Sequence, residues 1–276
     1  MGTLFLVATP IGNLEDISAR ALRILSQVLV VAAEDTRHTR KLLQHYQIHT
    51  PLTSYHEHNK LTKLNVVLDA LERGDVALVS DAGTPALNDP GFELVRAALK
   101  AGHRVSPVPG ACAPVSALVA SGLPTDAFLY LGYLPRKTLE RRQKLQEVVD
   151  LPYTLIVLET PHRLLSALQD LLDVLGDRQV AVTRELTKLH EEIFRAALSQ
   201  ALAHFQVAAP RGEFTLVIAG KPPLGVNWDE ARLRSELEQA LRQGEKASQA
   251  AARLASLSGW PRRKVYRMAT EIAKTI

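Results

Sequence analysis

One cysteine, Cys112, occurs in 276 residues. No disulfide can form within the chain, which suits a reducing cytoplasm, the location we expect. Long apolar runs are also missing. Val28–Ala33 is typical of the longest, far below the ~20 residues of a bilayer-spanning helix, so no membrane partner is expected. The segment Thr3–Val7 is short and lacks a basic leader, unlike a secretory signal. Leu6 stands where a myristoylation motif carries Ser or Thr. The chain has no Gly-x-Gly-x-x-Gly and no Walker phosphate loop, which removes the main support for an ordinary dinucleotide or nucleotide-triphosphate fold. It has no His-Glu-x-x-His. His56 and His58 flank Glu57 but offer two ligands where a catalytic zinc takes three, so no metal is expected. No internal repeat or low-complexity stretch is present.

What is there is an average globular mixture, 46% apolar and 22% charged. The length suits two domains and can bury roughly 70–75% of the unfolded surface. The formal charge is +4, from 33 Lys and Arg against 29 Asp and Glu. Residues 226–276 hold ten basic and six acidic side chains, so the whole excess lies there. A localised basic patch points to a polyanion more than a diffuse one does.

The first part of the chain alternates short β-branched runs with helical periodicity. Thr3–Ala8, Val28–Ala32, Val76–Ser80 and Arg104–Val108 read as strands. Leu61, Leu64, Leu68 and Leu71 repeat behind Asn59, an expected N-cap. A second helical face, Leu94 to Leu99, stops near Gly102. This rhythm predicts a largely parallel sheet covered by helices. After a boundary at Gly122–Asp126 come strands at Phe128–Leu131, Thr154–Leu158, Val180–Arg184, Ile193–Ala196 and Phe214–Ala219. Helices are expected near Glu140–Val149, Arg163–Leu175 and Gln200–Phe205. Clear βαβ units are fewer here, so a mixed sheet is expected. Gly220–Gly225 reads as a linker. The tail is helical: a Leu233, Leu237, Leu241 stripe, a helix Ala247–Leu257, and a basic third helix opened by Pro261 at its first position. Together they suggest a helix-turn-helix-like module. The domains expected are thus 1–122, 123–223 and 224–276.

Four loops follow predicted strands: Ala8–Asp16, Ala33–Arg37, Ser80–Gly91 and Pro109–Pro114. In open α/β sheets ligands bind beyond the carboxyl ends of strands, so all four should border one site. Asp81 could meet a ligand amino group there.

The motifs Thr9-Pro10-Ile11-Gly12-Asn13-Leu14, Ala33-Glu34-Asp35-Thr36-Arg37, Ser80-Asp81-Ala82-Gly83-Thr84-Pro85, Pro109-Gly110, Glu159-Thr160-Pro161-His162-Arg163, Arg184-Glu185-Leu186-Thr187-Lys188 and Gly212-Glu213-Phe214-Thr215 together resemble the ribosomal RNA small-subunit methyltransferase I family, of the tetrapyrrole-methylase-like fold. The resemblance runs from about residue 3 to 276. Thr160 stands where Ser is expected, and either hydroxyl serves the turn. The resemblance implies two α/β domains with S-adenosylmethionine in the cleft between them and a small helical C-terminal module. It implies 2′-O-methylation of a cytidine in the decoding region of small-subunit (16S) ribosomal RNA, by a homodimer acting on the assembled subunit. The cofactor residues it implies are Pro10, Asp81, Gly83, Thr84, Ala111, Cys112, Leu158, Phe214 and Thr215. Methylation of a small molecule such as a tetrapyrrole is the competing enzymatic reading, and a nucleic-acid-binding regulator the competing non-enzymatic one.

A ribose hydroxyl is a weak nucleophile, and a base would help it. Glu34, Glu159 and Glu185 are candidates, with Arg37, Arg163 and Arg184 beside them to hold phosphates or the carboxylates themselves. Glu185, Glu159 and Arg184 are the residues expected to be catalytic. A basic stretch, Arg136, Lys137, Arg141, Arg142 and Lys144, follows Tyr133 and is expected to contact RNA.

Overall fold

The structure, a computed structural model, describes residues 2–207, 210–222 and 228–273. Part of the expected linker, 223–225, and position 226 lie outside these. The chain divides into two compact units. One holds residues 1–149 and 153–219, and the other holds 150–152 with 220–276.

In the larger unit, β1 (Thr3–Val7), β2 (Val30–Ala33), β3 (Leu52–Ser54), β4 (Val76–Val79) and β5 (Arg104–Val108) form a sheet in the order β3-β2-β4-β1-β5. Every pairing is parallel, so all four predicted loops leave the same edge. Helices α1 (Ala19–Gln27), α2 (Thr36–His45), α3 (Lys60–Arg73) and α4 (Phe92–Lys100) supply the crossovers. Central β4 is buried along its whole length. A side chain such as Leu78, 1% exposed, contributes about 1.5–3 kcal/mol by leaving water.

Local chemistry sets the helix starts. Ser18 Oγ accepts from Ala21 N–H at 3.1 Å and caps α1, while Asp35 Oδ1 accepts from Arg37 N–H at 2.8 Å and caps α2. Val28, expected in a strand, instead closes α1 by donating its N–H to Ile24 O, so β2 begins two residues later. Asn59 precedes α3 without capping it. Its Oδ1 accepts from His56 N–H and its Nδ2 donates to Ser54 Oγ, which ties the loop back to β3.

The second sheet runs β6-β7-β10-β8-β9, from β6 (Phe128–Tyr133), β7 (Thr154–Glu159), β8 (Gln179–Arg184), β9 (Glu192–Ala197) and β10 (Phe214–Ile218). Only β6 and β7 pair in parallel; the other pairings are antiparallel. The sheet is mixed, as the sparse βαβ pattern predicted. It carries α6 (Thr138–Gln146), α7 (Leu164–Leu175) and α8 (Leu198–Val207). Helix α5 (Ala113–Ser121) starts from the edge of the first sheet but packs Ala117 and Leu118 against Ile156, Ala181 and Val217 of the second. Helix α5 thus links the first sheet to the core of the second within one unit.

In the smaller unit, α9 (Glu230–Arg242), α10 (Ala247–Ser258) and α11 (Arg262–Ile272) pack around Leu233, Leu237, Leu254, Val265 and Met268. Pro261 stands one position before α11 rather than at its first residue. Trp260 Nε1 donates to Trp228 O at 2.7 Å and pins the turn between α10 and α11. No helix among the described residues is long and apolar enough to cross a membrane.

Candidate active site

The four loops are fastened to one another. Thr9 and Gly83 exchange backbone hydrogen bonds at 2.9 and 3.0 Å, and Thr84 Oγ1 donates to Ala111 O at 3.2 Å. Asp35 N–H donates to Asp81 Oδ1 at 3.0 Å, and Asp81 N–H donates to Glu34 Oε2 at 3.3 Å. The third loop is therefore the hub that the other three meet.

The opposite wall comes from strand register. In the second sheet Phe214 lies beside Glu159 on one side and Arg184 on the other, while Tyr133 pairs with Leu158. Antiparallel pairing thus gathers residues 30 and 55 positions before Phe214 onto one sheet end. Between this end and the loops is a cavity of about 260 Å³.

Of the nine residues assigned to the cofactor, Asp81, Gly83, Thr84, Cys112, Leu158, Phe214 and Thr215 line this cavity. Ala111 borders it through the bond from Thr84. Pro10 lines instead a neighbouring cavity of about 600 Å³, which shares Ile11, Asp81, Ala82 and Glu213 with the first.

The smaller cavity is acidic. Glu34, Asp81, Asp89, Glu159 and Glu213 line it, and no Lys or Arg does. Burial raises the Glu34 carboxyl, and the Asp89 and Asp81 charges push it further. Burial likewise raises Asp89, with Asp81 adding to it. Burial raises Glu159 too, against the Thr160 amide and Arg163, which pull it down. Desolvated carboxylates kept close together favour a cation among them. Two buried polar atoms of wall residues, Tyr130 Oη and Glu159 Oε2, have no hydrogen-bond partner among the described residues. Such atoms are costly unless a ligand or water meets them.

Of the three residues expected to be catalytic, Glu159 lines the cavity, its side chain 1% exposed and its Oε1 3.2 Å from Arg163 Nε. Glu185 and Arg184 do not line it. Glu185 Oε1 accepts from Lys188 Nζ and from Glu213 N–H, both at 2.9 Å, and the carboxylate packs on Gly212 so closely that a Cβ there would lie 2.5 Å from it. Burial raises the Glu185 carboxyl, but Lys188 and the Glu213 amide together bring it below the ordinary value, which suits a clamp better than a base. Arg184 donates to Arg211 O and pairs with Glu192 at 3.4 Å. Both side chains fix the loop that presents Glu213.

The basic stretch after Tyr133 is also largely committed. Arg141 is 2% exposed and bonds Asp170 at 2.6 Å; Arg142 bonds Asp170 and Asp173. Lys137 pairs with Glu140 and Lys144 with Glu147. Arg37 is locked on Asp35 at 2.7 Å. Arg141 is thus built into the fold, whereas Arg136, Lys137, Arg142 and Lys144 remain exposed. Glu213, Asp89 and Tyr130 had no role assigned from sequence. The Asp89-Pro90-Gly91 turn was visible, but nothing local announced that it would face β6. Among the described residues no three His, Cys, Asp or Glu side chains gather as a metal site.

The profile of tetrapyrrole (corrin/porphyrin) methylases matches residues 3–202. The chain is 48% identical over 275 residues to ribosomal RNA small subunit methyltransferase I of Synechocystis sp., covering 99% of each. The chain belongs to this family. It is 47% identical over 270 residues to the relative of the same name in Halalkalibacterium halodurans, covering 96% of this chain and 93% of the other. The fold is shared with uroporphyrin-III C-methyl transferase from Thermus thermophilus, solved with S-adenyl homocysteine. The TM-score is 0.54 at 21% identity, over 78% of this chain and 97% of that one. The protein is a methyltransferase of the tetrapyrrole-methylase fold, and S-adenosylmethionine is its methyl donor. The acidic cavity fits that donor: its carboxylates suit a sulfonium and an ammonium, and Leu158 and Phe214 offer apolar surface to a base ring.

Proposed function

We propose that this chain methylates the ribose 2′-oxygen of a cytidine in the decoding region of small-subunit (16S) ribosomal RNA, as a cytoplasmic homodimer. The observation that carries the chemistry is the acid-lined cavity with the buried, half-satisfied carboxylate of Glu159 in its wall. The names of the relatives support RNA as the acceptor. So does the basic C-terminal unit, where Arg262, Arg263 and Arg267 are exposed on α11.

S-adenosylmethionine supplies, when bound, a methyl group on a positively charged sulfur open to in-line displacement. Asp81, Gly83, Thr84, Ala111 and Cys112 hold it from the first-sheet side, and Leu158, Phe214 and Thr215 from the second; Pro10 shapes the approach. Leu158 and Phe214 keep water from the reacting centre. Glu159 accepts the hydroxyl proton at Oε2. Its raised pKa makes it a stronger base while Arg163 keeps it ionised.

The test is transfer of labelled methyl to unmodified small subunits, to free ribosomal RNA and to corrinoids, followed by mass mapping of the modified nucleotide. A single 2′-O-methylcytidine in the decoding region is the expected product. Methylation of corrinoids alone would overturn the RNA reading in favour of small-molecule chemistry. Sedimentation of the purified protein checks the dimer.

A further inference from the structure

The larger cavity, about 600 Å³, has the opposite character to the smaller one. Its outer wall is one face of α2. His38, Lys41 and His45 recur at helical spacing and line it with Leu42 as an apolar floor. All three polar side chains are exposed, while Thr39, Leu42 and Leu43 turn inward. Among the described residues none of the three is held in an ion pair, unlike Arg37 one residue before them and Lys188 across the cavity. The facing wall is the first loop, through Pro10, Ile11 and Leu14. Tyr46 Oη donates to Leu14 O at 2.6 Å, which fixes that loop to the end of α2.

The two cavities meet at Ile11, Asp81, Ala82 and Glu213. A cationic ligand is favoured on the carboxylate side of this junction, an anionic one on the lysine and histidine side. We propose that the larger cavity seats the acceptor nucleotide, with its ribose at the junction on the side of the smaller cavity and Glu159, and with Lys41, His38 and His45 holding the phosphates that flank one unstacked ribonucleotide. This rests on the RNA reading above. The volume is that of a pocket for one small ligand, so the RNA would enter as a single strand or an extruded nucleotide. Recognition of that kind combines phosphate contacts with stacking on rings such as imidazole. This role also explains why α2 leaves Lys41 and two imidazoles outside any ion pair beside a cleft in which the other charges are committed or acidic.

The experiment compares wild type, Lys41→Ala, the Lys41→Ala/His45→Ala double variant, Lys41→Arg and a distant control, Lys100→Ala. Cofactor affinity is read by calorimetry, and RNA binding and methyl transfer are followed across a salt series. Losing a charge-assisted contact should weaken RNA binding roughly tenfold or more. The loss should appear in KM, and the salt slope should drop by about 0.7 per phosphate contact to a single strand. Cofactor affinity should stay at the wild-type value in every variant, with Lys41→Arg retaining most RNA binding and Lys100→Ala all of it. An unchanged salt slope and KM in the double variant would overturn the assignment while leaving wild-type RNA methylation intact. Loss of corrinoid rather than RNA binding would assign the cations to a tetrapyrrole's carboxylates and overturn it as well. A wild type inactive on every RNA would bring down the functional reading itself, an outcome the variants are not needed to detect.

Discussion

Asn88, in the loop after β4, is seated directly on Gly132 of β6: a Cβ at Gly132 would lie 2.5 Å from Asn88 Nδ2. Both backbones are left-handed, with φ of 65° and 64°, and Gly132 sits where the β6–β7 register shifts. The contact links a loop of the first sheet to a strand of the second, beside the acidic cavity that Asn88 also lines. Gly132→Ala should destabilise the protein by about 1–3 kcal/mol through backbone strain and the displaced amide. It should also weaken the cofactor. Placing Gly132→Ala in an Asn88→Gly background should restore part of both, since the clash is then gone. Denaturant unfolding and calorimetry on the four-member cycle check this coupling.

Asp81 combines a structural and a binding duty, which one substitution can separate. Asp81→Asn keeps an oxygen for the Asp35 N–H but removes the charge. It should not lower the unfolding midpoint, since it also relieves Glu34 and Asp89 of a like charge, while weakening S-adenosylmethionine by about 10–100-fold, the value of a hydrogen bond to a charged group. Wild-type affinity in calorimetry would remove Asp81 from the cofactor site.

The buried carboxylates predict a pH dependence. Burial raises the folded-state values of Glu34 and Asp89 above those of the unfolded chain. Their favourable contribution is therefore complete below the ordinary carboxylate range and is lost as pH rises through the raised values. Glu34→Gln should make the ligand-free protein more stable than wild type at pH 7. The gap should close on acidification toward about pH 4. Thermal unfolding of both proteins over that range reads the sign, and a gap that widens in acid would contradict it.

Arg141 tests whether the basic stretch serves the fold. Asp170 is buried between Arg141 and Arg142. Asp170→Ala would leave the Arg141 charge buried without its partner, costing about 3–5 kcal/mol. Cofactor affinity and the salt slope of RNA binding should not move. On α11 the expectation reverses: Arg263→Glu with Arg267→Glu, both exposed, should weaken subunit binding and flatten its salt dependence with little change in stability.

Much of this molecule was legible in one dimension. The strand runs at Thr3, Val76 and Arg104, the loops after them, the mixed character of the second half and the Leu233, Leu237, Leu241 stripe follow from periodicity and turn chemistry, which act over a few residues. The three-residue β3 and the uniformly apolar α5 carry little local signal, whereas α1 and α2, opened by Ser18 and Asp35, have strongly one-sided apolar faces that make them legible in sequence. What the sequence by itself determined, then, was the order of elements and the loops that border one edge of a parallel sheet. Only the tertiary structure decided which acidic residue lines the cavity with a carboxylate oxygen left unpartnered. Glu159 ends β7 and Glu185 directly follows β8, each near an arginine, yet Glu159 lines the cavity, while the left-handed backbone at Glu185, φ 50°, folds its carboxylate onto Lys188 and Gly212. Partners in such contacts come from distant strands, and no window of sequence contains both.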